Sequence, residues 1–220
     1  MSQLPYNFIA IEGNIGAGKT TLCRMLERDF NVDLILEQFT DNPFLPQFYK
    51  DPKRYGFPVE LFFMTERYKQ LSTHFSRPDL FKPQTVADYF FIKTLLFAGR
   101  NLEEDEYRLF YKLFSILNKE FPDPDIIFYL HRPVDVLLRQ IQLRSRRMET
   151  GITAEYLTGI QDAYMNYFRS VDSFPVVILE LGDRDFVRHA ADYRLVLDQL
   201  SRTYRPGLTH VSLRVEQNRE

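Results

Sequence analysis

Short apolar runs alternate along the chain with longer stretches whose apolar residues recur every three or four positions. Such alternation predicts an α/β fold around a parallel sheet. Five strands are expected, at Phe8–Glu12, Leu34–Glu37, Thr85–Asp88, Asp125–Leu130 and Val176–Leu181. A helix is expected from Lys19 to about Asp29, apolar at Leu22, Met25 and Leu26. Longer ones should cover Val59–Phe75 and Phe90 to about Arg100. "EDEYRLFYKLFSILNKEF" keeps helical spacing through Leu109, Leu113 and Leu117; another helix starts near Val134, and "AEYLTGIQDAYMNYF" gives the next. No repeat, low-complexity segment or linker divides residues 1–220, which read as one domain. After Tyr204 the periodicity is weak, predicting either a small extra element or a partly disordered tail over 205–220.

Composition narrows the class. With 220 residues, 45% hydrophobic and 26% charged, the chain has an ordinary globular balance and can bury a proper core. A net charge of −2 implies no broad nucleic-acid-binding face. The single cysteine, Cys23, excludes an internal disulfide, fits a reducing compartment and is expected as a small buried residue. There is no apolar run of membrane-spanning length, and "MSQLPYN" lacks the regions of a signal peptide, so a cytoplasmic setting without a membrane partner is expected. The 20 Phe and 13 Tyr belong mostly to core or interface, with some available to line a pocket for a flat ligand. His74, His131, His189 and His210 are too scattered to suggest a metal site or a triad.

The most specific stretch is "FIAIEGNIGAGKTTL", where Gly13, Gly18, Lys19 and Thr20 fit G-x-x-x-x-G-K-[ST] between a strand and a helix. Residues Gly13, Asn14, Ile15, Gly16, Ala17, Gly18, Lys19, Thr20 and Thr21 are thus expected to cradle nucleotide phosphates, with backbone N–H groups and the helix dipole facing the oxygens. Lys19 would reach the β and γ phosphates, and the Thr20 hydroxyl would ligate Mg²⁺. A guanine-reading N-K-x-D element is missing; Asn118-Lys119-Glu120-Phe121 lacks its Asp, so ATP is the expected nucleotide. Arg139, Arg144, Arg146 and Arg147 precede Gly151. Beside a P-loop, such a cluster reads as a lid over the phosphoryl group rather than a solvated helix face. Glu37 and Asp88 each end a predicted strand, where doubly wound sheets gather ligands. Glu37 could take a proton from an attacking hydroxyl, and Asp88 could hold Mg²⁺ directly or through water; a helix cap is the alternative for either.

Taken together, "IAIEGNIGAGKTTL", "LILEQF", "FYKDPKRYGFPVELFF", "ERYKQL", "FAGRNL" and "LRSRRMETGITAEYL" resemble the deoxyribonucleoside kinases, specifically the bacterial deoxyadenosine/deoxyguanosine type. The likeness runs from about Phe8 to Phe186, in the family's order and spacing. It implies a P-loop kinase fold and transfer of the ATP γ-phosphoryl group to a deoxyribonucleoside 5′-hydroxyl. By resemblance Glu37 is the general base, Asp88 the acidic residue near magnesium, Tyr49 the holder of the sugar and Glu149 the lid residue for the 3′-hydroxyl. Arg144 and Arg146 match lid arginines on the donor phosphates, and Phe97 the aromatic that stacks on the base. The loop "LGDRDF", with Asp183, Asp185 and Phe186, resembles the turn that holds the donor adenine. A homodimer packed through helices 59–75 and 90–100 is also implied.

Three positions depart from the family pattern. Tyr89 stands where an arginine follows the acidic residue, so the chain must position hydroxyl and phosphate otherwise, through Lys19 and the lid. Glu60 replaces a base-reading glutamine, and Thr94 an aspartate, while the partner arginine is kept as Arg67. Glu60 and Arg67 are seven apart and share a helix face. A carboxylate only accepts and a guanidinium only donates, which complements the two edges of guanine better than adenine or thymine. Leaving such a buried group unmet costs roughly 1–4 kcal/mol. The alternative is an ion pair that never meets substrate. Among enzymes, a nucleoside monophosphate kinase is the rival, but it would need acceptor-site arginines. "QFYKDP" and "PVELFF", the latter including Phe63, suit an uncharged nucleoside better. A non-catalytic nucleotide-binding subunit is the other alternative, disfavoured by intact Lys19, Thr20, Glu37 and Asp88.

Overall fold

The computed structural model describes residues 3–38, 42–77, 79, 81–144, 149 and 151–213. Its centre is a parallel sheet of six strands in the order β2-β3-β1-β4-β5-β6. These are β1 Phe8–Gly13, β2 Val32–Ile35, β3 Gln84–Ala87, β4 Ile126–His131, β5 Pro175–Glu180 and β6 Gly207–Ser212. Every residue of β1 is buried, as are five of the six in β4 and in β5. Strands covered on both faces read as continuous apolar runs, which is why they are legible in the sequence. β6, an edge strand with alternating exposure, explains the weak signal after Tyr204 and makes the sheet six-stranded rather than five-stranded.

Side chains alternate between the faces. Ile9, Ile11, Phe128, Leu130, Val177 and Leu179 point to one layer. That layer contains α1 (Lys19–Asp29), α6 (Val134–Arg144) and α8 (Ala190–Leu200). Phe8, Ala10, Ile127, Tyr129, Val176 and Ile178 point to the other. There lie α3 (Pro52–Ser76), α4 (Lys93–Asn101), α5 (Glu104–Leu117) and α7 (Ala154–Phe168). A short α2, Leu45–Phe48, packs on α3 through Phe48 and Val59. Because β1 has β3 on one side and β4 on the other, the loop after β1 opens at the point where the sheet changes winding direction.

Several boundaries moved for local reasons. α3 begins seven residues before the expected Val59, despite Gly56 and Pro58, because Asp51 caps it by accepting from Arg54 N at 3.3 Å. Gly56 is needed there: a Cβ would stand 2.7 Å from the Asn101 carbonyl oxygen at the end of α4. α4 starts at Lys93 rather than Phe90, since Phe90 N donates to the buried Glu12 carboxylate at 2.7 Å. β2 ends at Ile35 because the Glu37 amide leaves the ladder to meet the Asp88 carboxylate. α2 and α8 were not anticipated, although Tyr193, Val196 and Leu200 keep helical spacing in α8. No described helix is long and apolar enough to cross a membrane. Cys23 is buried and free, as expected.

Glu12 ties β1 to two segments of one layer, since its second oxygen accepts from the Tyr164 hydroxyl at 2.8 Å on α7. Replacing Tyr164 with Phe keeps the shape but strands that oxygen in the core. The expected outcome is a loss of about 1–3 kcal/mol in a urea unfolding curve, with the slope unchanged.

Candidate functional site

The loop from Gly13 to Lys19 turns sharply into α1. Gly18 has a φ of +99° and is the residue just before α1; a Cβ there would lie 2.9 Å from the Phe186 ring. Only glycine meets both demands. Lys19 Nζ donates to the carbonyls of Gly13 at 2.9 Å and Asn14 at 3.0 Å, curled over the loop it would serve. Burial, then the nearby Lys93 charge, lowers the Lys19 ammonium to about 8. Thr21 is exposed at the start of α1, and Ile15, Gly16 and Thr20 are partly exposed.

The side chains of two residues expected at the nucleotide, Asn14 and Phe186, support the loop from within the fold. The Asn14 side chain is buried, donates to the Leu157 carbonyl at 2.7 Å and accepts from Ile15 N at 2.8 Å. Phe186 is 2% exposed, with its ring against Gly18. Arg132, just beyond β4, completes the brace. Its Nε donates to Ala17 O at 3.2 Å, its Nη1 to Gly182 O at 3.1 Å, and its guanidinium carbon lies 5.6 Å from the Phe186 ring centre. Asp183 and Asp185 stay on the loop that follows β5, where they line an open cavity of about 520 Å³ with Arg184, His189 and Asp192.

Glu37 and Asp88, just past the ends of β2 and β3, are joined through a backbone amide. Asp88 Oδ1 accepts from the Glu37 amide at 2.7 Å, and its Oδ2 accepts from the Thr20 hydroxyl. A hydroxyl and a carboxylate in contact at the start of α1 are hard oxygen donors, the set that magnesium takes when it arrives with phosphates. Among the described residues there is no group of three or more His, Cys, Asp or Glu side chains that could hold a metal ion alone.

Glu37 itself is enclosed. Its Oε1 accepts from Arg67 Nε at 2.9 Å and Nη2 at 2.6 Å, and its Oε2 accepts from Lys93 Nζ. Burial would raise its carboxyl, but the Lys93 ammonium and Arg67 guanidinium outweigh that and hold it at about 2. Arg67 Nη1 donates to the Thr94 hydroxyl at 3.0 Å, so the threonine accepts where an aspartate was the pattern. Arg67 is therefore committed to Glu37 and Thr94, which corrects its expected pairing with Glu60 as a base reader. Glu60 is held by Asn101, whose Nδ2 donates to Oε1 at 2.6 Å. Its Oε2 is buried without a hydrogen-bond partner among the described residues, and burial pushes the carboxyl up to about 7.

Lys19, Glu37, Tyr49, Phe63, Arg67, Lys93, Arg144 and Glu149 line one small cavity of about 90 Å³. Arg67 stacks over Phe63, 5.1 Å from its ring centre. Tyr49 also opens onto a roomier cavity of about 530 Å³ with Asn101 and Tyr156. Phe97 is buried beneath the site, its ring centre 5.6 Å from Lys93 Nζ. Arg144 and Glu149 pair with each other at 2.5 Å. Arg146, expected on the phosphates, lies outside the described residues, as do Arg147 and most of the lid expected over 143–151. Sequence reasoning missed Lys93, Asn101, Arg132 and Glu12. Lys93 alone left a signal, as the only charge in the apolar run "YFFIKTLLFA".

This arrangement joins a P-loop, a buried carboxylate and a small cavity lined by charged and aromatic side chains. The deoxynucleoside kinase family model matches residues 9–204. The chain is 38% identical over 196 residues to a deoxyguanosine kinase of Bacillus subtilis, covering 86% of this chain and 93% of that one. It is 34% identical over 181 residues to a deoxyadenosine kinase of Dictyostelium discoideum, covering 81% and 73%. A solved deoxyadenosine kinase from M. mycoides with bound dCTP shares the fold, with a TM-score of 0.72 at 22% identity over 87% of this chain and 97% of that one. With the family model spanning almost the whole sheet and its helices, the chain belongs to the deoxynucleoside kinase family.

Proposed function

We propose that this deoxynucleoside kinase transfers the γ-phosphoryl group of ATP to the 5′-hydroxyl of a purine deoxynucleoside, in deoxynucleotide salvage in the cytoplasm. The observation that carries this reading is the closed set around Glu37: a buried carboxylate beside the P-loop, facing Tyr49, Arg144 and Glu149. The P-loop amides and Lys19 bind the donor phosphates, and the loop carrying Asp183 and Asp185 receives the adenine. Thr20 and Asp88 would hold Mg²⁺, which supplies charge neutralisation at the β and γ phosphates when bound. Glu37 takes the hydroxyl proton. Tyr49 and Glu149 orient the sugar, Phe63 and Phe97 enclose the base, Arg144 faces the transferred group, and Arg146 is assigned the same role by the family likeness alone. Beside Tyr49, Phe63 and Glu149, the acceptor pocket's Arg67 is taken up by Glu37 and Thr94 rather than free for a second phosphate, which supports a nucleoside over a nucleoside monophosphate.

Dimerisation is part of the same proposal, with its surface moved. The apolar residues expected to pair through helices 59–75 and 90–100 pack mostly within the chain. The outer side of α5 instead exposes Leu109, Tyr111, Leu113 and Ile116, with Ile116 65% open. A second copy seated on this stripe would cover it, so Ile116→Arg is expected to shift the protein to monomers in analytical ultracentrifugation.

The reaction is tested by ADP formation from ATP–Mg²⁺ with deoxyguanosine, deoxyadenosine, deoxycytidine and thymidine in turn. Turnover with the purines is expected, and Glu37→Gln should lower kcat by about 10²- to 10⁴-fold. Activity confined to a nucleoside monophosphate would replace the proposal by its rival.

Base preference should follow pH through Glu60. Its carboxyl stands at about 7, above the ordinary 4.5, so it is ionised above that pH and protonated below it. Ionised, it accepts from guanine N1–H and N2–H₂; protonated, it donates to adenine N1 while accepting from N6–H₂. The kcat/KM ratio of deoxyguanosine to deoxyadenosine is therefore expected to fall as pH drops from 8 to 6. In Glu60→Gln the ratio should stay flat.

A further inference from the structure

Lys93 opens α4 and is 5% exposed, an ammonium brought into an apolar layer. A buried cation persists only when paired. Its Nζ donates to Glu37 Oε2, the oxygen that Arg67 leaves free. The same ammonium faces the cavity shared by Lys19, Arg144 and Glu149. Tyr89, which directly follows Asp88, turns away: its hydroxyl donates to Gln70 Oε1 at 2.9 Å and the ring is fully buried. The cation on the outer oxygen of the base therefore comes from the first turn of α4, four residues later.

We propose that Lys93 is the working partner of Glu37 in phosphoryl transfer, aiming Oε2 at the acceptor hydroxyl and then passing its charge to the transferred group. The inference rests on the kinase reading above. In the step, a lone pair of the 5′-oxygen forms the new bond to the γ-phosphorus. The bond from that phosphorus to the β–γ bridging oxygen breaks, and its electron pair leaves with ADP. The hydroxyl proton goes to Glu37 Oε2. A neutral Glu37 no longer holds the ammonium, whose charge then offsets the phosphoryl oxygens.

A lysine that merely ties α4 to the end of β2 would affect stability alone. The test compares full-length wild type with Lys93→Met and Lys93→Arg, using ATP–Mg²⁺ and deoxyguanosine. Expected for Lys93→Met is a kcat lower by about 10²- to 10³-fold. The nucleoside KM should change by less than about threefold. Lys93→Arg should recover most of the rate. A folded Lys93→Met with wild-type kcat, or a Lys93→Arg no faster than Lys93→Met, would overturn the proposal. Should Lys93→Met not fold, the wild-type Lys93 ammonium signal decides: it shifts on adding ADP, Mg²⁺, aluminium fluoride and deoxyguanosine if the charge transfers, and stays put if it is structural. A wild type silent towards all four deoxynucleosides removes the kinase reading and this inference with it. Wild-type turnover beside an indifferent Lys93→Met removes only the role of Lys93.

Discussion

Everything in this site depends on keeping the Glu37 carboxylate ionised out of water. A buried charge is stable only when the cost of desolvation is met by partners with good geometry. Here two cations from different helices, Arg67 of α3 and Lys93 of α4, take its two oxygens. The Glu37 amide binds Asp88, and Asp88 in turn holds the Thr20 hydroxyl on α1. Two carboxylates thus fix the spacing of α1, α3, α4 and the ends of β2 and β3. Around them Lys19 lies within electrostatic reach of Glu12, Glu37 and Asp88, and Glu37 within reach of Lys93, Arg67 and Lys19. The low-dielectric interior makes these interactions strong, and removing one member would leave the rest unbalanced.

The phosphate loop is held by a different logic. Backbone amides must point at the ligand, so the side chains that stabilise the loop act from behind. Asn14 anchors it to α7, Phe186 fills the space over Gly18, and Arg132 reaches both Ala17 and Gly182. This brace links the phosphate loop to the loop after β5 and keeps the two at a fixed separation.

The lid side is built for exchange. Arg144 and Glu149 satisfy one another at 2.5 Å while also facing the Glu37 cavity. In the proposed reaction each has a separate partner, a phosphate for the arginine and a sugar hydroxyl for the glutamate. Their mutual pair offsets part of what each ligand would gain, so donor and acceptor binding are coupled through it.

The sequence by itself determined the α/β class, the phosphate loop, helix α1 and the placing of Glu37 and Asp88 at strand ends, because local periodicity and glycine spacing encode these directly. The family likeness was legible for the same reason, as ordered motifs along one line. Only the tertiary structure decided partners. Arg67 and Glu60 share a helix face, yet the first binds Glu37 and Thr94 while the second binds Asn101, since α3 sits between β2 and α4. Phe186 and Asn14 fall inside binding motifs but face inward, a choice set by packing against Gly18 and α7. Lys93 reads as a stray charge in an apolar run until the fold brings it to Glu37, 56 residues away in sequence. Edge strand β6 stayed hidden because a half-exposed strand carries little pattern of its own. Contacts between residues distant in sequence are fixed by the chain's closure into layers, and no local rule records them.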